Sequence, residues 1–362
     1  MFQVQKVIVT SPEGEYPILV GTGLLARVGA LLSGLGQPAG FSSVCAVVTN
    51  PRVRELHAAP VIDSLCASGF EPRVVEIPDG ERFKTLDTVR SMYDQLIDAR
   101  LDRRSIVFAL GGGVVGDAAG FAAATFLRGV PFIQLPTTLL AMVDASLGGK
   151  VAVDHPRGKN LIGAFKQPQA VIADTATLAS LPPVEFRAGL AEVVKHAIIG
   201  DAELFAELEA GAWKVDVGGW LARAMRVKVE IITRDPFERA ERANLNLGHT
   251  FAHAFEKLAD FELRHGDAVA IGLVCAARLS ARRGLSDATV APRIEKLLRV
   301  IGLPTRVPHE MSAEAIMDAM ATDKKRVDAQ LRFVLPRALG DVVIVDDVAR
   351  SEIASIVEEL RG

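Results

Sequence analysis

The chain has 362 residues, 49% of them hydrophobic, with 41 lysines and arginines against 44 aspartates and glutamates. That length favours two domains, and a net charge of -3 offers no basic field for gathering nucleic acid. Cys45, Cys66 and Cys275 form no C-x-x-C pair, so neither a disulfide framework nor a thiolate zinc site is expected.

The opening MFQVQKVIVT reads as a strand and not as the apolar core of a signal peptide. The Ala-rich segment near Gly120 is broken by glycine and by Arg128, so no stretch is apolar for long enough to span a bilayer. A soluble cytoplasmic protein, with neither nucleic acid nor membrane as partner, is the expectation.

The first half alternates short β-branched runs with helical patterns. VCAVVT at 44–49 predicts a strand, and Asn50-Pro51 a turn or helix start. Residues 52–68 have helical periodicity and stop at Gly69 as at a C-cap. RVVEI at 73–77 is the next strand, Pro78-Asp79-Gly80 a turn, 85–100 a helix and SIVFAL at 105–110 a buried strand. Strands alternating with helices imply right-handed crossovers and a largely parallel sheet.

Beyond about residue 178 the texture becomes helical, with a 3.6-residue period over 183–199, 202–209, 220–234, 249–258 and 267–283. Further helices are expected over 305–360, with a hairpin-like pair at 331–335 and 341–345. Residues 1–178 are thus expected to form an α/β domain and 179–362 a mainly α-helical one, with the active site in the interdomain cleft.

Gly111-Gly112-Gly113-Val114-Val115-Gly116-Asp117 follows a predicted strand and opens a helix. This is the G-x-G-x-x-G arrangement, in which backbone amides at a helix N-terminus can approach a pyrophosphate. The ordinary dinucleotide fingerprint has an acidic residue about twenty positions further on; here the next acid is Asp144. A dinucleotide site of unusual build is the reading, against a ligand-free tight turn. Thr137 and Thr138 end the next strand, and Gly148-Gly149-Lys150 and Gly158-Lys159-Asn160 follow. Glycines paired with lysines suit a phosphate; solvated lysines on a glycine-rich surface loop are the alternative.

The helical half carries Glu192 in AEVVK, His249 and His253 in GHTFAH, and His265 in HGD. Three of the chain's seven histidines fall in this short stretch. His249 and His253, four apart, share one helical face, and imidazoles with a carboxylate and no cysteine suit Zn²⁺, with Co²⁺, Mn²⁺ or Fe²⁺ also compatible. Spacing leaves open which histidine of the pair is the ligand.

Together these segments resemble the 3-dehydroquinate synthases over nearly the whole chain. The resemblance rests on PDGE with Lys84, GGGVVGD with Gly120-Phe121, Arg128-Gly129, QLPTTLLAMVDASLGGK at 134–150 and GKNLIGAF at 158–165. It continues through Leu181-Pro182 with Glu185-Phe186, AEVVK, NLGHTFAHA at 246–254, HGDAVA at 265–270, Asp323-Lys324-Lys325 and RFVLPRALG from 332. It implies a homodimer whose N-terminal domain carries a mostly parallel, Rossmann-like sheet holding NAD, and whose helical C-terminal domain holds metal and substrate. The implied reaction converts 3-deoxy-D-arabino-heptulosonate 7-phosphate to 3-dehydroquinate and phosphate. It proceeds by transient oxidation at C5, phosphate elimination, re-reduction and aldol closure, as the second step of the shikimate pathway.

By matching position, the resemblance implies Glu192, His249 and His265 as ligands of Zn²⁺, with Co²⁺ as a substitute. It implies substrate contacts for Asp144, Lys150, Asn160, Lys195, Lys228, Arg242, Asn246, His253 and Lys324, with Arg128 reaching the phosphate from the neighbouring subunit. Asn50, Glu81, Lys84, Gly113, Val114, Val115, Gly116, Asp117, Thr137, Thr138 and Lys159 resemble the NAD contacts. Departures from the family pattern are Ala145 for serine, Phe126 for tyrosine, Asp267 for glutamate, Ala252 and Ala240 for glycine, and the 235–238 stretch. Two other readings share this architecture: a metal-dependent polyol dehydrogenase, and a cyclase acting on a carboxylate-free sugar phosphate such as the 2-epi-5-epi-valiolone synthases. The lysine set argues against the first, and Arg242, Asn246 and Lys324 argue against the second.

Overall fold

The computed structural model describes residues 4–34, 40–260, 262–324 and 331–362; of Ser33, Gly34 and residues 322–324 it describes the backbone. The chain divides into two compact units, Met1–Pro182 and Pro183–Gly362. None of the helices among the described residues is long and apolar enough to cross a membrane.

The first unit holds β1 (Gln5–Ser11), β2 (Gly14–Gly21), β3 (Val44–Thr49), β4 (Glu71–Glu76), β5 (Val107–Gly111), β6 (Phe132–Pro136), β7 (Lys150–His155), β8 (Gly158–Phe165) and β9 (Ala170–Asp174). Seven of these form one sheet in the order β1-β2-β9-β6-β5-β3-β4, parallel throughout except for the β1–β2 pair. Its central strands are near-continuous apolar runs because both faces are covered. Ala46, Val48, Val107 and Ala109 point into a core shared with the helices Leu86–Asp98 and Gly113–Thr125. Their neighbours Cys45, Val47, Phe108 and Leu110 point to the other face, against Leu25, Val61 and Leu65. Period-two alternation is thus present but invisible in residue type, since both faces need apolar side chains.

Several boundaries differ from the sequence expectation for identifiable reasons. The helix expected over 52–68 begins at Pro51, with the Asn50 side chain capping Val53 N–H at 2.8 Å. It passes through a wide turn at Arg54–Ala58, just before Pro60, whose missing N–H cannot complete a regular ladder. β4 starts at Glu71 and includes Pro72, tolerated because β4 is a sheet edge. Residues 148–160, marked in the sequence by their glycine–lysine pairs, fall largely within an antiparallel hairpin of β7 and β8 that lies outside the main sheet.

The second unit is mainly helical: Pro183–Gly200, Ala202–Glu209, Val217–Arg234, His249–Leu258, His265–Arg282, Val290–Ile301, Ala313–Lys324 and Arg350–Leu360, with one hairpin, β10 (Phe333–Ala338) and β11 (Asp341–Val345). Pro183–Gly200 is buried at every residue from Ala188 to Ile199, and His265–Arg282 is nearly as enclosed. A helix buried on all sides needs no polar stripe, and small or apolar residues accordingly recur on every face of these two. The last helix is tied down by Arg282 to Glu359 at 2.5 Å and by the contact of Arg283 with Glu352 at 3.6 Å.

Candidate functional site

In the first unit, β5 ends at Gly111 and the helix Gly113–Thr125 begins two residues later, with no side chain capping it. The opening amides of a helix have no intrahelical acceptor, so this end can meet an anion with main-chain donors. The glycines make room for neighbouring strands: a Cβ at Gly112 would stand 3.1 Å from the Thr138 methyl, and one at Gly116 2.8 Å from Gln134 Oε1. Thr137 N–H donates to Gly111 O at 2.9 Å, so the hydroxyl-bearing end of β6 is fixed beside the loop.

The same helix presents Asp117 to Lys84, whose ammonium lies 2.6 Å from Asp117 Oδ2 and donates to Asn160 Oδ1 at 2.6 Å. Burial pushes the Asp117 carboxyl up to about 6, although Lys84 pulls against it. Burial of Lys84 opposes its charge, but Asp117 and Glu81 outweigh that and hold the ammonium above its usual range. Asn160 sits at a left-handed φ of 55°, its N–H donating to Asp154 at 2.7 Å. Glu81 approaches Lys159 at 3.9 Å, and Asn50 donates to Asp79 at 2.8 Å. Lys84, Asp117, Asn160, Lys159 and Glu81 therefore form one charged cluster joining a turn, a helix and the β7–β8 hairpin. Asp144 is half-buried, Lys150 exposed at the start of β7, and Arg128 exposed in a turn where Leu127 and Arg128 both take positive φ.

In the second unit three helices converge. Glu192 is fully buried on Pro183–Gly200, His249 opens His249–Leu258, and His265 opens His265–Arg282. Two glycines allow this approach. A Cβ at Gly266 would lie 2.1 Å from Ala188 O, one turn before Glu192, so the chain at His265 runs directly against that helix. Gly248, at φ 77°, packs against the Gly272 backbone and sets the start of the His249 helix.

The result places Glu192 Oε1 3.3 Å from His265 Nε2 and 3.6 Å from His249 Nε2. One ligand atom from each of the three lies within 4.8 Å of the others. His249 Nδ1 is 3.1 Å from Leu247 O; a carbonyl only accepts, so Nδ1 carries the hydrogen and Nε2 offers its lone pair. His265 Nδ1 faces Glu256 Oε1 at 3.5 Å, which directs that ring in the same sense. Burial, with the Lys195 ammonium adding to it, drives His249 well below its ordinary range, and it stands neutral as a ligand must. For His265 burial opposes charging, but Glu192 and Glu256 overcome it and push the imidazole up to about 10. Two imidazoles and a carboxylate with oriented outer nitrogens suit Zn²⁺ and its neighbours.

Lys195 forms a fully buried ion pair with Glu192. His253, one turn on from His249, is exposed, with its ring edge-on to His249 at 5.5 Å; of the pair it is His249 that stands with Glu192 and His265. Lys228 is buried on Val217–Arg234. Arg242 and Asn246 lie on the turn Glu241–Asn246. Arg242 donates to Pro236 O at 2.6 Å and Asn246 to Glu238 at 3.4 Å. Lys324 ends the helix Ala313–Lys324, and its side chain lies outside the described residues.

Two participants were not singled out from the sequence. Asp235 accepts from the N–H groups of Arg239, Ala240 and Arg242 at 2.9, 2.7 and 3.0 Å and so shapes the loop that carries Arg242. Glu256 completes an H-x₃-H-x₂-E pattern from His249; its i+7 spacing is the signal that could have marked it.

Family models described as 3-dehydroquinate synthase N-terminal and C-terminal match residues 74–188 and 189–326. The chain is 46% identical to the 3-dehydroquinate synthase of Desulforamulus reducens, covering 95% of this chain and 97% of the relative. With that of Geobacter metallireducens the identity is 48%, over 91% and 92%. A solved 2-epi-5-epi-valiolone synthase from Streptomyces hygroscopicus subsp. jinggangensis, with NAD⁺ and Zn²⁺ bound, is 30% identical with a TM-score of 0.86, covering 95% of this chain and 96% of that one.

Proposed function

The chain belongs to the 3-dehydroquinate synthase family, and we propose that it converts 3-deoxy-D-arabino-heptulosonate 7-phosphate to 3-dehydroquinate and phosphate. The observation that carries this reading is the meeting of Glu192, His249 and His265 beside the buried Lys195. A hydroxyl-activating ion with a lysine next to it fits an anionic polyol better than a neutral alcohol.

The uncapped helix end at Gly113 would hold NAD⁺, which would supply reversible hydride chemistry to the substrate. A divalent cation, Zn²⁺ or in substitution Co²⁺, would supply Lewis acidity to the substrate hydroxyls. The chain's own residues do the rest. Glu192 supplies the negative charge that makes the site bind a cation, and Lys195 restrains that carboxylate to one orientation. Lys150, Lys228, Arg242, Asn160, Asn246 and Lys324 are cationic or amide donors for the phosphate and carboxylate; Asp144 and His253 serve the hydroxyls. Lys84 and Asp117 fix the first turns of the helix against which the dinucleotide lies, with Asn50, Glu81, Thr137, Thr138 and Lys159 around it. A cytoplasmic homodimer, with exposed Arg128 reaching the phosphate held by the partner, belongs to the same proposal.

The test is phosphate release from 3-deoxy-D-arabino-heptulosonate 7-phosphate with NAD⁺, with and without a chelator. Chelator-sensitive release without net NADH is expected. NADH accumulating on a simple polyol would replace this reading with a dehydrogenase, and release from a carboxylate-free heptulose phosphate alone would replace it with a cyclase of the valiolone type.

A further inference from the structure

We propose that Glu256 is a positioning residue for the divalent cation, holding the imidazole of His265 in the orientation and tautomer that present Nε2 to Glu192. The inference rests on the metal reading given above and goes beyond the three ligands.

Glu256 lies on the helix His249–Leu258, seven residues after His249 and so almost in line with it along the helix axis. It is 6% exposed, an expensive place for a carboxylate unless it serves a partner of opposite charge or a strong donor. Its Oε1 stands 3.5 Å from His265 Nδ1, while the same ring's Nε2 stands 3.3 Å from Glu192. An ionised carboxylate only accepts, so Nδ1 carries the hydrogen. With Nδ1 turned toward Glu256, the ring's Nε2 faces the position shared with His249 and Glu192.

The two histidines are oriented by different means. His249 leans on the Leu247 carbonyl, which no substitution removes. His265 leans on a side chain, which can be replaced. His265 is also the more exposed ring, at 32% against 11% for His249, and has the greater freedom to lose. A carboxylate behind an imidazole raises its basicity as well as fixing it, and removing such a partner typically weakens metal binding by about 10- to 100-fold.

The experiment titrates metal-free protein with Co²⁺, following the visible absorption band, for the parent and for Glu256→Gln, Glu256→Ala and His249→Ala. Glutamine keeps an acceptor for Nδ1–H without the charge, so Glu256→Gln should weaken Co²⁺ about tenfold and Glu256→Ala about a hundredfold. Both should shift the band, with NAD⁺ affinity and the far-ultraviolet circular dichroism unchanged. Glu256→Gln, isosteric with the parent, keeps the test available where alanine fails to fold. Parent-like affinity and an unshifted band in Glu256→Gln and in any folded Glu256→Ala, with His249→Ala still deficient, would overturn the positioning role alone. A parent that binds Co²⁺ no better than His249→Ala would overturn the metal reading, and the positioning role with it.

Discussion

In Met1–Pro182 the candidate site is made largely of main chain: an uncapped helix end, glycines that admit neighbouring strands, and the Lys84–Asp117–Asn160 cluster beside them. In Pro183–Gly362 it is made of side chains, with a buried carboxylate and two imidazoles carried by three different helices. The first arrangement suits a long ligand gripped through many weak donors. The second suits a small ion that needs a few atoms held closely. One therefore tolerates substitution except where a Cβ intrudes, whereas the other depends on single residues.

The sharpest way to break this contrast is His249→Ala. Zinc content after desalting should fall with an affinity loss of more than about a hundredfold, the upper range for a mere supporting partner, while NAD⁺ affinity by calorimetry stays within twofold. Retained zinc would remove His249 from the ligand set.

Next comes Gly266→Ala. The new methyl would meet Ala188 O at 2.1 Å, and overpacking of that kind costs about 1–3 kcal/mol. Thermal melting should drop by several degrees and zinc affinity with it, because the displaced helix carries His265; an unchanged melting temperature would contradict the glycine argument.

A pH series sharpens the account of the first unit. Asp117 titrates at about 6 in the folded chain, raised from an ordinary 3.8. The folded state therefore binds the extra proton across that window, and the stability this group contributes is present below about pH 4 and is lost as pH rises through 6. Lys84 titrates above its ordinary range and adds nothing there. The stability of the parent relative to Asp117→Asn should fall by about 2 kcal/mol between pH 4 and pH 7, somewhat under the full shift because the side chain keeps some contact with water. Equal slopes for the two proteins in denaturant titrations would remove Asp117 as the source.

The smallest effect is expected for Gly113→Ala. Its Cβ would lie 3.5 Å from the Ala145 methyl, an ordinary contact, so melting should not change, while NAD⁺ affinity should drop about fivefold, or roughly 1 kcal/mol. A drop in melting temperature without one in affinity would mean that Gly113 serves packing and not the ligand.

How much of this was legible in the sequence follows the same division. The parallel α/β architecture and the glycine loop were readable because strand, turn and helix are consecutive, so their chemistry is local. The pairing of Lys84 with Asp117 and Asn160 was not, since no periodicity connects a turn, a helix and a hairpin. The hairpin of β7 and β8 was not legible either, because its glycines and lysines outweigh its alternation. In the helical unit, residue types marked Glu192 and the histidine cluster. They do not choose between His249 and His253, which share a face; the close contacts of Gly266 and Gly248 set where the three helices meet and bring His249 beside Glu192 and His265. Glu256 was missed for a simpler reason: a glutamate on a helix is ordinarily solvated, and only burial distinguishes this one.

X-ray absorption of the zinc-loaded protein tests the central claim most directly. The account predicts one bound ion with two imidazole nitrogens at about 2.0–2.1 Å and a carboxylate oxygen at about 2.0–2.2 Å, with one imidazole lost in His265→Ala. A spectrum without imidazole scattering, or one that His265→Ala leaves unchanged, would contradict it.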